Sequence, residues 1–234
     1  VEVEVAVAKV GKWATSESGD TLEMIERPRG GLSFVLVDGQ RSGRAAKAVS
    51  NLVARKAIAE LAEGVRDGAA ARAAHDYLHV YKGGKVSATL NIVSVDLSTD
   101  TLVLSRNNPA PMILITPQGE VELMDSLSRP VGIYLRTKPV ITEVPLEIGL
   151  GVVVYTDGLQ VAGERRGGPL DLPAIVAELV AAGSSARQMS ETLLERALAA
   201  EDGRPRDDMS VLALRVGPEA GSEVRRLSVT VPIR

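Results

Sequence analysis

Hydrophobic and polar positions alternate along residues 1–10, where Val1, Val3, Val5 and Val7 are separated by Glu2, Glu4 and Ala6. A period of two puts one face of a strand on a core and the other towards water, so this segment predicts a half-buried strand near a sheet edge. At 32–37 the pattern changes to an apolar run interrupted only by Ser33, flanked by Gly30-Gly31 and ended by Asp38-Gly39. A second run, 150–155, ends the same way, one residue later, in Asp157-Gly158. Short apolar runs bounded by glycine read as strands buried on both faces, each delivering its acid to the end of a rigid element. Further strand signals lie at 21–26, 87–96, 101–106, 112–116, 120–124, 138–146 and 209–216. The four between 87 and 124 read as an antiparallel meander, with Asp96 and Asp100 at a hairpin turn. Helical spacing predicts helices at 43–66, capped by Ser42, at 69–81, stopped by Gly83-Gly84, and at 172–182 and 186–200.

That order, strands, two helices, many strands, two helices and a strand, predicts an α+β fold in which two antiparallel sheets pack together with helix pairs outside. Residues 1–216 read as a single domain and 217–234 as a tail, with 224–233 either a last edge strand or a mobile end. The connector Asn107-Asn108-Pro109-Ala110-Pro111 is stiff and polar, equally suited to a turn or to the rim of a site.

Composition narrows the chemistry. The chain has 234 residues, 45% apolar and 24% charged, which excludes wholesale disorder. Its net charge is −3 and its 27 basic residues are scattered, which argues against a nucleic-acid surface. Without cysteine there is no disulfide, thiolate nucleophile or Cys-held zinc, so any metal must be held by oxygen or histidine. No apolar stretch approaches the ~18 residues of a membrane span, and a cytoplasmic protein with no membrane partner is expected.

His75 and His79, four apart with Asp76 between them, have the spacing of a zinc-protease helix but the shorter acid and no third histidine, and read as structural. The acids are more informative. An Asp-Gly dipeptide is most often a turn. Two of them at the ends of buried strands, with Asp207-Asp208 before a third apolar run and Asp20 beside Gly19, form an oxygen-only set that suits Mg²⁺ or Mn²⁺. Two such ions about 4 Å apart can activate water for attack on a phosphoester.

Ser18-Gly19-Asp20, Val37-Asp38-Gly39-x-x-x-Gly43, Tyr155-Thr156-Asp157-Gly158 and Arg206-Asp207-Asp208-Met209-Ser210-Val211 stand in the order and spacing of one family. Over residues 5–216 the chain resembles the metal-dependent serine/threonine protein phosphatases of type 2C. The bacterial branch typified by the stage II sporulation phosphatase and the sigma-B pathway phosphatases is the nearer match. The resemblance implies a four-layer αββα sandwich with two Mn²⁺ or Mg²⁺ ions at one end. Carried onto this chain, it makes Asp38 the bridge between the ions, Gly39 a carbonyl ligand, Asp157 and Asp207 ligands of the second ion, and Asp20 the acid that orients water at the first. Asp208 stands where many members have Asn.

The chain departs from the family pattern at Arg41, where a Gly is usual; Arg41 reads as a solvated helix-start residue, or it could reach substrate phosphate. The phosphate-gripping Arg of the eukaryotic branch has no counterpart, with Lys9 or Lys12 as substitutes, and no third metal is expected. A catalytic domain of this length without an attached sensor is similar to the stressosome phosphatases, which implies phosphorylated STAS-domain stressosome proteins as partners and a monomer. The alternatives are a phosphatase of a phosphorylated anti-sigma-factor antagonist and a non-catalytic STAS-binding module.

Overall fold

The computed structural model describes residues 1–219, 221 and 224–232. In chain order the elements are β1 (Glu2–Val10), β2 (Asp20–Glu26), β3 (Leu32–Gly39), α1 (Gly43–Ala62), α2 (Asp67–Lys82), β4 (Ala88–Asp96), β5 (Thr101–Asn107), β6 (Met112–Ile115), β7 (Val121–Met124), β8 (Val140–Pro145), β9 (Gly151–Tyr155), the short α3 (Asp157–Gln160), α4 (Leu172–Ala181), α5 (Ala186–Ala200) and β10 (Met209–Gly217). They form two five-stranded sheets, β1-β10-β9-β6-β7 and β2-β3-β4-β5-β8. Every ladder is antiparallel.

The uninterrupted apolar runs are explained by the layers. Along β3, Phe34 and Leu36 enter the core between the sheets with Val93, Leu104, Val152 and Leu212. Val35 and Val37 face the other way, onto Val53, Leu61, Ala74 and Leu78 of α1 and α2. Across the sandwich, Ile113, Val153 and Val211 pack on Val176, Met189 and Leu193 of α4 and α5. A strand with a core on each side has no face left for polar residues, and each fully buried Val, Leu or Ile contributes about 1.5–3 kcal/mol. The result is the four-layer αββα arrangement, with β1 at a sheet edge as its alternation predicts.

The meander is corrected. After β5 the chain leaves its sheet, and β6 pairs with β9 in the other one. The crossing occurs at the Asn-Asn-Pro-Ala-Pro connector, where Pro109 and Pro111 offer no N–H to a ladder. Asn108 Oδ1 accepts from Ala110 N at 3.0 Å to form the corner. Buried Arg106 pins it from inside, donating to the Asn108 carbonyl at 2.5 Å. α1 stops at Ala62, short of the expected 66, with Gly64 left-handed after it. α2 starts at Asp67, whose buried carboxylate pairs with Arg27 at 2.8 Å. Residues 224–232 form no strand, and Ile233 lies outside the described residues.

His75 and His79 prove structural. His75 Nδ1 accepts from Gly132 N at 2.9 Å and His79 Nδ1 lies 3.0 Å from the Gly132 carbonyl, so the pair clips the 128–132 segment onto α2. Asp96 Oδ1 accepts from Ser98 N at 2.8 Å, as a turn residue does.

Candidate functional site

Each sheet contributes acids to one end of the sandwich. In the β2–β3 ladder Asp20 and Asp38 are directly opposite partners. In the other sheet β9 runs out into Asp157, the first residue of α3, while Asp207 and Asp208 lead into β10. The last two ends are stitched together: Thr156 N donates to the Ser210 carbonyl at 3.1 Å, and Ser210 N donates to Thr156 Oγ1 at 3.0 Å. The loop before Asp207 is pinned by Arg206, whose guanidinium donates twice to the buried Glu201 carboxylate, at 2.8 and 2.9 Å.

Asp20 ties the two sheets together. It is fully buried, and its Oδ2 accepts from Ser210 Oγ at 2.6 Å and from Thr156 Oγ1 at 3.1 Å across the sandwich. Thr156 is the N-cap of α3 yet makes no capping bond through its side chain, because that hydroxyl is turned to Asp20. Two ammonium groups hold Asp20 from behind: Lys9 Nζ and Lys47 Nζ both donate to its carbonyl, at 2.9 and 2.5 Å. Asp38, Asp157 and Asp207 line a cleft of about 360 Å³ together with Lys12, Arg41 and Asn108.

The two Asp-Gly steps are required by packing. A Cβ on Gly39 would lie 2.1 Å from the Ala46 carbonyl oxygen, and one on Gly158 2.1 Å from that of Asp208. Glycine lets α1 seat directly on the end of β3, and lets α3 seat on the start of β10.

Crowded carboxylates disfavour one another's charge. Burial, then Asp20, Asp157 and Asp207, push Asp38 up to about 9. Asp20 is pushed up to about 6 by burial, against the bond from Ser210 and the Lys9 charge, which favour the anion. Asp157 stands at the cleft mouth, where loss of water on its inner side and then Asp207 raise it. Desolvation and then Lys47 lower Lys9.

These residues fit a hard divalent cation. Asp20 Oδ1 is buried and accepts from no hydroxyl or N–H, only the Asp38 carboxyl lying against Asp20, and Asp38, Asp157 and Asp207 supply oxygen donors whose mutual repulsion a cation would relieve. Among the described residues no three acids or histidines close into a cage.

The structure thus brings Asp20, Asp38, Gly39, Asp157 and Asp207 to one place and gives Asp208 a different task. Asp208 is buried, and its two oxygens accept from Lys12 N at 2.9 Å and Gly19 N at 2.8 Å, which binds the segment before β2 to the start of β10. Lys9 is committed to the Asp20 carbonyl and is removed as a phosphate ligand, whereas Lys12 lines the cleft. Sequence reasoning missed Lys47, Thr156 and Ser210. Ser210 lies two residues beyond Asp208 at the start of a strand, on the same side of the pleat, and that spacing was a usable signal.

A family model described as Stage II sporulation protein E (SpoIIE) matches residues 28–217. The chain belongs to the SpoIIE family. No curated protein sequence matches it significantly. Among solved structures it is similar to the PP2C phosphatase domain of the cell fate determinant SpoIIE, with a fragment of its regulatory domain, from Bacillus subtilis. That match has a TM-score of 0.78 at 20% identity over 92% of this chain and 64% of that one. The RsbU and RsbW domains of a Mycobacterium tuberculosis protein match with a TM-score of 0.72 at 22% identity, over 92% and 60%. RsbX in complex with magnesium matches with 0.69 at 18%, over 92% and 96%. The chain therefore spans less than two thirds of the first two structures. The fold of this SpoIIE-family chain is that of PP2C phosphatase domains, and among its described residues no helix is long and apolar enough to cross a membrane.

Proposed function

We propose that this SpoIIE-family chain is a metal-dependent protein serine/threonine phosphatase, acting on phosphoserine or phosphothreonine of STAS-domain proteins of a stressosome. The observation that carries the catalytic reading is the gathering of Asp38, Asp157 and Asp207 in one cleft beside the buried Asp20. Asp38, Asp157, Asp207 and the Gly39 carbonyl would hold two Mg²⁺ or Mn²⁺ ions. When bound, such ions supply positive charge to a dianionic ester and lower the pKa of water.

The chain's own residues do the rest. Asp38 must lose its proton for a cation to enter, so its raised pKa couples metal uptake to proton release. Thr156 and Ser210 fix Asp20 through Oδ2, which leaves Oδ1 to orient water towards phosphorus. Lys9 and Lys47 hold the Asp20 backbone while this happens. Hydrolysis then breaks the P–O bond to the serine or threonine oxygen, which takes up a proton, and forms a P–O bond to the oxygen of water. The magnesium in the RsbX structure supports the metal, and a similar solved structure from work on the bacterial stressosome as a modular system supports the partner class.

The test is phosphate release from phosphorylated stressosome STAS proteins, compared with a phosphorylated anti-sigma-factor antagonist, with Mn²⁺, with Mg²⁺ and with chelator. Turnover that needs the cation and prefers the stressosome proteins is expected. Equal rates on both substrates remove the stressosome assignment. No turnover of any phosphoprotein or aryl phosphate at saturating cation removes the phosphatase reading and leaves a STAS-binding module.

A further inference from the structure

The loop that joins Asp38 to α1 holds its one basic residue in a backbone conformation that an arginine adopts only at a cost. Arg41 has φ +79°, in the left-handed region where glycine is at ease and other side chains are strained. Nothing local compensates for it. Arg41 is exposed and makes no ion pair or side-chain hydrogen bond among the described residues. Its neighbour Gln40, by contrast, is anchored, its N donating to the Ser87 carbonyl and its Oε1 accepting from Ser87 N, both at 3.1 Å. A strained residue without partners among the described residues, on an anchored loop, suits a partner from outside the chain.

The surroundings say what kind. Arg41 lines the same cleft as Asp38, Asp157 and Asp207. A phosphomonoester entering there meets three carboxylates and needs positive charge that does not belong to the metal sites. Lys9 and Lys47 cannot supply it, since both are turned to the Asp20 carbonyl. Lys12 and Arg41 remain as the cleft's basic side chains, and of these only Arg41 offers a planar fork that matches two oxygens of a phosphoryl group at once.

We propose that Arg41 binds the phosphoryl oxygens of the substrate, and that its strained backbone places the guanidinium over the cleft. This rests on the phosphatase reading above and adds to it the residue that recognises the phosphate. It also makes the Arg-for-Gly departure of this loop a gain in substrate affinity at the expense of stability.

Arg41→Gly separates the two effects. It removes the strain, so the melting temperature should rise by about 3 °C. It removes the fork, so KM for a phosphopeptide, KM for an aryl phosphate and the inhibition constant of inorganic phosphate should all rise about tenfold or more, with kcat changed less. Arg41→Lys should keep the strain and recover part of the affinity. Unchanged KM and unchanged phosphate affinity in Arg41→Gly, whatever its melting temperature, overturn the proposal. So does a loss confined to kcat, which would mean that Arg41 acts only through the loop. Wild-type protein that binds Mg²⁺ without turning over would refute the phosphatase reading instead. Calorimetric titration of inorganic phosphate into the Mg²⁺-loaded wild type and Arg41→Gly would then still decide for or against Arg41.

Discussion

The two strand ends that carry Asp-Gly are chemically alike and physically different. At both, the glycine is forced by a carbonyl oxygen 2.1 Å from where a Cβ would stand. Asp38, however, is still inside its strand, opposite Asp20 and half-buried, with three other acids acting on it. Asp157 has left its strand, opens a four-residue helix and stands exposed at the cleft mouth. One acid is at the centre of the charge cluster and the other at its rim. The same dipeptide therefore does two jobs, decided by whether the ladder has ended before the acid or after it.

Substituting each acid by its amide breaks the comparison most strongly. Asp38→Asn should lower kcat/KM by about 10³-fold, since it removes the central carboxylate of the proposed metal site. Asp157→Asn should lose less and be partly recovered at high cation concentration. The metal-free protein gives a second readout. Between the ordinary carboxylate value of 3.8 and about 9, the folded protein holds a proton on Asp38 that the unfolded chain has released. Stability should therefore fall as pH rises through that window. Asp20, pushed up to about 6, adds to the fall over the lower part of it. Asp38→Asn should flatten this dependence, Asp157→Asn should flatten it less, and bound cation should abolish it in the wild type. Denaturant melts across pH, with and without Mg²⁺, would show it; a flat profile for the metal-free wild type would mean that the acids do not crowd one another in solution.

What was legible in the sequence follows from the same contrast. The strands and helices were, because period-two and helical patterns are local and the layers simply satisfy them. The acids gathered at the cleft were, because each stands at a change of pattern, where an apolar run meets Asp-Gly or Asp-Asp. The route of the chain after β5 was not: whether β6 continues a meander or crosses to the other sheet depends on Arg106 holding the 107–111 corner from within the core, a tertiary fact. The support of Asp20 was not legible either. Lys9 and Lys47 come from opposite sides of the segment they grip, on β1 and α1, and no spacing in the sequence announces that both meet one carbonyl.

The glycines sharpen the comparison at intermediate cost. Alanine at either position drives a methyl into backbone that cannot swing away, and each change should destabilise the fold by about 2–3 kcal/mol. The consequences should diverge. Gly39→Ala presses on Ala46 and displaces α1 as a body, while Gly158→Ala presses on Asp208 and lies 3.3 Å from the Asp207 side chain. At equal loss of stability, measured by urea unfolding, both should lose cation affinity by calorimetry, Gly39→Ala through its own carbonyl and Asp38, Gly158→Ala through Asp207. An unchanged cation affinity in Gly158→Ala would place Asp207 outside the binding set.

Thr156→Val is the smallest of these changes and isolates the link between the two ends. The substitution keeps the shape, and removes the donor to Asp20 Oδ2 and the acceptor for Ser210 N. One buried acceptor and one buried donor lose a partner, which should cost about 1–2 kcal/mol. Because the hydroxyl favours the charged form of Asp20, its loss should raise that carboxyl further above its present value of about 6. In the proposed mechanism Asp20 orients water only as the anion, so the acid limb of the pH–rate profile should move to higher pH while KM stays close to wild type. Ser210→Ala removes the shorter bond and should move the limb further in the same direction. An acid limb that stays put in both variants would assign that limb to a group other than Asp20, and would leave Thr156 and Ser210 as fasteners between β9 and β10 with no part in setting the charge of the site.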